Sequence, residues 1–169
     1  PQGRKFQLPE HLKEYKGIWV IVEQERGAVH SVSWELVGEA RKLADKLGVE
    51  VGAVVLGADG PALNAICADA FTFGADVVYK VADPVLAEYR TDPYCRVMTD
   101  VVNAYKPEIV LLGATTLGRD LAGAIATTSP PPLISAVSRP WARNTSMPAW
   151  RIYSLAIPPR SSRMPRRGK

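Results

Sequence analysis

The sequence predicts a three-layer α/β domain with a parallel sheet, and three observations carry that prediction. Short apolar runs rich in β-branched residues recur at 18–22, 51–56, 77–81 and 109–112. They are too short to span a membrane and are typical of strands buried on both faces. Helix-period patterns lie between them, and strands that alternate with helices imply crossover connections and a parallel sheet.

Taken in order, the first strand is 18–22. The next pattern places Trp34, Val37, Ala40, Leu43, Ala44 and Leu47 at spacings of three and four, and Gly48 stands where a helix C-terminal glycine belongs. After the strand at 51–56, Leu63, Ile66, Cys67 and Ala70 mark a second helix. After the strand at 77–81, Val97, Val101 and Ala104 mark a third. The fourth strand, 109–112, runs straight into a small-residue turn and a last helix whose first turn carries Arg119 and Asp120. No internal duplication of sequence accompanies the repeated architecture. A length of 169 residues suits one domain with a tail, divided as a leader 1–16, a domain 17–128 and a tail 129–169.

Charge draws the last boundary. All 17 acidic residues precede residue 129, beside 13 Lys and Arg, whereas 129–169 holds 8 basic residues and no acidic one. The net charge of +4 and pI near 9.2 therefore belong to the tail. It also holds eight of the 14 prolines, which suits extended chain rather than helix. Residues 133–138 are the exception and are expected to add an edge strand. Trp141, Trp150, Ile152, Tyr153 and Leu155 make the rest more apolar than a plain linker. A basic segment with tryptophans raises a nucleic-acid arm, since Arg neutralises phosphates and indoles stack on bases. Against it, the arginines form no helical stripe and the body is acidic.

The feature that points to function is the turn after the fourth strand. Ligands of parallel sheets sit beyond the carboxyl ends of strands, where helix N-termini offer free N–H groups to anions. The candidate binding residues are Gly113, Thr115, Thr116, Gly118, Arg119 and Asp120. The spacing Gly113-x4-Gly118 is that of a phosphate loop, but Arg119 and Asp120 stand where such a loop needs Lys and then Ser or Thr, which excludes an NTPase. The plainer reading is that Thr115 or Thr116 caps the helix, the glycines allow tight strand-to-helix packing, and Arg119 is a surface residue.

Other chemistries are excluded. Cys67 and Cys95 have no CxxC partner, so no disulfide and a reducing compartment are expected. Cys67 reads as a buried, inert thiol on an apolar helix face. His11 and His30 are isolated and build neither a metal site nor a hydrolase triad. The acidic pairs Glu23 with Glu25, and Asp69 with Asp76, read as solvated charges. No signal-peptide core or membrane span is present in the sequence, and a cytoplasmic location is expected.

Residues 110–126, with the run Gly-Ala-Thr-Thr-Leu-Gly-Arg-Asp-Leu-Ala at 113–122, resemble the N-terminal domain of the electron transfer flavoprotein alpha subunit. Residues 15–24, 33–57, 74–79 and 106–111 resemble further segments of that domain in the same order, so the resemblance runs from about 8 to 127, roughly three quarters of the chain. It implies a Rossmann-like fold of the adenine nucleotide alpha hydrolase-like kind. It also implies an electron carrier that is not catalytic by itself: a beta subunit as partner, FAD as redox cofactor, AMP or a second FAD held by that beta subunit, and flavin dehydrogenases such as acyl-CoA dehydrogenase as donors. The site residues would then lie near the subunit interface or near that nucleotide. The glycine-rich and arginine-bearing motifs that hold FAD in the family's second domain do not occur in the sequence, so no FAD-binding residue is carried over. The alternative is a stand-alone module that binds AMP or ATP at the Gly113 loop.

Overall fold

A computed structural model describes residues 13–128 and the strand at 133–137; the expectations for residues 1–12, and for the tail apart from that strand, lie outside the described residues. The strands are β1 (Ile18–Val22), β2 (Gln24–Glu25), β3 (Ala28–Val29), β4 (Val51–Gly57), β5 (Val77–Ala82), β6 (Ile109–Gly113) and β7 (Leu133–Val137). The helices are α1 (Ser31–Leu47), α2 (Pro61–Thr72), α3 (Thr91–Tyr105) and α4 (Thr116–Thr128), with a 3₁₀ turn at Pro84–Leu86. Five strands form one sheet in the order β5-β4-β1-β6-β7, every pairing parallel.

The register explains the three layers. Ile18 lies beside Val51 and Ile109, so Ile18, Val20, Val51 and Leu111 share one face and pack on Leu36, Val37, Ala40 and Ala44 of α1. On that same face Val22, Ala53 and Val55 meet Leu63, Ile66 and Ala70 of α2. Trp19, Ile21, Val54, Leu56, Val110 and Leu112 face the other way, against Leu86, α3 and α4. All five residues of β1 are buried, which is why this strand reads as an unbroken apolar run with no alternation.

Some expectations shift by a residue or two. In α1 the buried set is Ser33, Leu36, Val37, Ala40 and Ala44, while Leu43 and Leu47 are exposed; Gly48 closes the helix at φ 67°. In α3 the buried face is Tyr94, Cys95, Met98, Val101 and Val102, because the aromatic and sulfur side chains of its first two turns also turn inward. Cys67 is half-buried, and burial pushes its thiol up.

Two features position the site. Between β1 and α1 the chain makes a small antiparallel hairpin, β2 with β3, turned at Arg26 and Gly27 with φ of 50° and 82°. Two consecutive positive φ values give the turn hand that fits a two-residue hairpin. At the opposite end of the sheet, Lys106 ends α3 at φ 50°. Its ammonium is buried, 2.5 Å from Glu14 Oε2 and 5.2 Å from the Tyr15 ring centroid, while its carbonyl accepts a bond from Lys16 N at 3.1 Å. This ties the segment before β1 to the end of α3.

Candidate functional site

The strand order makes the carboxyl ends of β1 and β6 the place to look. After β1 the chain turns to α1 on one face, and after β6 it turns to α4 on the other, which opens the crevice where sheets of this order hold ligands. The sequence-expected residues lie there, but they divide into three groups.

Gly113, Thr115 and Gly118 converge on a residue that sequence reasoning placed in solvent. Glu23, the residue after β1, is only 3% exposed. Its Oε1 accepts a bond from Gly113 N at 3.0 Å, and its Oε2 accepts one from the Thr115 hydroxyl at 2.7 Å. Thr115 Oγ1 in turn accepts from Gly118 N at 2.9 Å, so Thr115 is the cap of α4 and satisfies one of the donors that a helix start leaves free. The Glu23 main chain is fixed as well: its N–H donates to the buried Ser33 hydroxyl at 2.9 Å, and its carbonyl accepts from His30 N at 2.9 Å.

Gly113 owes its identity to this carboxylate, and Gly118 owes its own to the Gly113 carbonyl and then to the same carboxylate. A Cβ on Gly113 would lie 2.6 Å from Glu23 Oε1 and 3.0 Å from Val32 Cγ1. One on Gly118 would run into the Gly113 carbonyl and come within 2.8 Å of the same Glu23 oxygen. Real Cβ atoms do not approach so closely, and a dense interior cannot absorb the misfit. The spacing that resembles a phosphate loop is thus a cradle for a carboxylate of the chain itself.

Thr116 and Arg119 form the exposed rim. Arg119 Nε donates to the Thr115 carbonyl at 3.3 Å, which lays the guanidinium along the first turn of α4. Asp120 belongs to a separate surface cluster in which its Oδ2 accepts from the Thr91 and Tyr89 hydroxyls, each at 2.6 Å. Those bonds, Thr91 first, hold the Asp120 carboxyl below its usual range. Burial, and then the bond to Asp120, push the Tyr89 phenol up to about 12. Arg26 of the hairpin makes an exposed ion pair with Glu88 at 3.7 Å.

Among the described residues no group of three or more His, Cys, Asp and Glu could hold a metal ion, and no helix is long and apolar enough to cross a membrane. Of the other acidic residues expected to be solvated, Glu25, Asp69 and Asp76 are exposed, and Asp76 is also hydrogen-bonded. Asp76 accepts from Val51 N at 2.8 Å and from Arg41 at 2.5 Å. The little desolvation it has raises its pKa, but the bonds from Val51 N and Arg41 outweigh it and leave the carboxyl lowered.

Residues 18–141 match the electron transfer flavoprotein domain. The chain belongs to the electron transfer flavoprotein family. It is 64% identical over 124 residues to "Protein FixB" of Azorhizobium caulinodans, a match that covers 73% of this chain and 34% of that protein. It is 58% identical over 123 residues to "Protein FixB" of Rhizobium meliloti, with 72% and 35% covered. It is 46% identical over 115 residues to "Electron transfer flavoprotein subunit alpha" of Thermoanaerobacterium thermosaccharolyticum, with 68% and 34% covered. The chain thus spans about a third of the length of the curated relatives it matches. Within the family it corresponds to the N-terminal domain of the alpha subunit, and the three-layer parallel sheet is the α/β fold expected of it.

Proposed function

We propose that this chain is the N-terminal lobe of an electron transfer flavoprotein alpha subunit that docks a beta subunit in the cytoplasm, while FAD carries electrons between a flavin dehydrogenase, such as an acyl-CoA dehydrogenase, and an acceptor. The observation that carries the reading is the match over 18–141 together with relatives whose name states the alpha subunit. In this role the lobe is a scaffold: the flavin does the redox chemistry, and protein positions it and tunes its potential.

The donor set at the switch point supports a docking role over a cofactor site. Gly113 N, the Thr115 hydroxyl and Gly118 N are already engaged, and the glycine clearances are filled by Glu23 and by the Gly113 carbonyl. Those residues do not fit the phosphates of FAD or of an adenine nucleotide, so the flavin is assigned to other parts of the complex. What the loop offers a partner is its rim, Thr116 and Arg119, beside the Asp120 cluster.

Native mass spectrometry of the complex purified from its source tests the reading: a beta-type subunit should co-purify with the chain. Arg119→Glu reverses the rim charge and gives up only an exposed bond to the Thr115 carbonyl, leaving the side-chain bonds of the Glu23 cradle in place, so it should weaken that association about tenfold or more with little change in the unfolding midpoint. A chain that purifies alone with an adenine nucleotide bound would favour a small-molecule module instead.

A further inference from the structure

We propose that Glu23 is a built-in ligand of the switch point: its carboxylate occupies the anion position of the β6–α4 loop and closes this crevice to phosphate-bearing ligands. Three observations on different atoms meet here. Both carboxylate oxygens are bound by the loop, through Gly113 N at 3.0 Å and the Thr115 hydroxyl at 2.7 Å. The Cβ-free space of Gly113 is taken up by Glu23 Oε1, and that of Gly118 by the Gly113 carbonyl with the same Glu23 oxygen next to it. The Glu23 main chain is held on both sides, by Ser33 and by His30, so its side chain enters the loop from a fixed base.

A buried carboxylate is tolerated where hydrogen bonds replace its water, and here the loop supplies them. The arrangement is reciprocal. The carboxylate orients Thr115, whose oxygen then caps Gly118 N, so the start of α4 is set by a residue far away in sequence. Its shape also selects. A planar, two-oxygen group bridges Gly113 N and Thr115, whereas a tetrahedral phosphate would have to displace Glu23 and leave its carboxylate buried without these donors, which is costly. Glu23 is therefore a positioning residue, and the crevice it fills is specific for a carboxylate.

Chemical rescue tests this on the full chain. In Glu23→Ala the loop donors face a cavity of the size of the lost carboxylate, and acetate should refill it. The unfolding midpoint of Glu23→Ala is expected to fall, then to rise by a few degrees in sodium acetate relative to sodium chloride at equal ionic strength, as a ligand that binds only the native state requires. The wild-type midpoint should not respond to acetate. A folded Glu23→Ala chain that is as stable as wild type, or indifferent to acetate, overturns the proposal. If that variant fails to fold, calorimetric titration of the wild-type chain decides: no binding of AMP or inorganic phosphate is expected, and saturable binding that Gly118→Ala abolishes overturns the proposal. The inference is independent of the carrier reading, since loss of the beta partner from the purified complex would leave the acetate result untouched.

Discussion

Two glycines of α4, five residues apart, should respond in opposite directions to the same added methyl group. Gly118 is buried against the end of β6, where a Cβ would meet the Gly113 carbonyl first and Glu23 Oε1 next. Gly123, in the middle of the helix, has nothing within 4 Å of a built Cβ and is exposed. Replacing a helical glycine by alanine gains about 0.5–1 kcal/mol when space is free. Overpacking costs about 1–3 kcal/mol, and the upper end applies to Gly118 because the first atom met is backbone and cannot rotate away. Gly118→Ala is then expected to destabilise by about 2 kcal/mol net, and Gly123→Ala to stabilise by about 0.5–1 kcal/mol. Urea unfolding with a slope of about 1–3 kcal/mol per molar separates the two midpoints by about 1 M or more. A Gly118→Ala chain as stable as wild type, with Gly123→Ala unchanged, would refute the claim that the β6–α4 approach needs a missing Cβ.

Three further outcomes are expected. Glu14→Gln removes the partner of the buried Lys106 ammonium; because Glu14 itself is partly exposed, the cost should be about 1–2 kcal/mol, whereas Lys106→Met removes the buried charge and should cost less, an order that paired urea unfolding curves check. The Tyr89 phenol is raised to about 12 in the fold from an ordinary value near 10, so the stability it contributes is complete below pH 10 and is lost as pH rises through about 12; Tyr89→Phe should flatten the alkaline limb of a midpoint-against-pH curve. Arg26→Asn puts a residue tolerant of positive φ into the β2–β3 turn and should stabilise by about 1 kcal/mol, measured by thermal unfolding, since the Arg26–Glu88 pair it removes is highly exposed.

The sheet was legible because its strands are buried on both sides. The runs at 18–22 and 109–112 carry no charge, and their apolar character needs no knowledge of the partners. The hairpin was not legible: β2 and β3 have two residues each, too few to establish a period, and the only local signal is Gly27 after Arg26. The strand–turn–helix at 109–128 is legible from its pattern, and Thr115, one of the two residues expected to cap the helix, does so. The turn's occupant was missed because an acidic residue at a strand end is ordinarily solvated. What reverses that expectation for Glu23 lies 90 residues away, in Gly113 and Thr115, and no local pattern encodes such a pairing. The nearest hint in the sequence is the pair of phosphate-loop glycines followed by Arg119 and Asp120, a loop shaped for an anion without the residues that bind a phosphate.

The position of β1 at the centre of the sheet also sets a timetable for synthesis. Its pairing with β4 becomes available early, but its other edge waits for Ile109, the partner of Ile18, which a ribosome reaches roughly 5–20 s later at about 5–20 residues per second. For that interval the run Ile-Trp-Val-Ile-Val of β1, uncharged and free of proline, presents an open strand edge of the kind that recruits other chains. The emerging protein passes through a stage in which three of the five strands can pair and the uncharged β1 is covered on one side only. Arrival of β6 closes that edge, and with it the Gly113 loop reaches the carboxylate that has been waiting since residue 23.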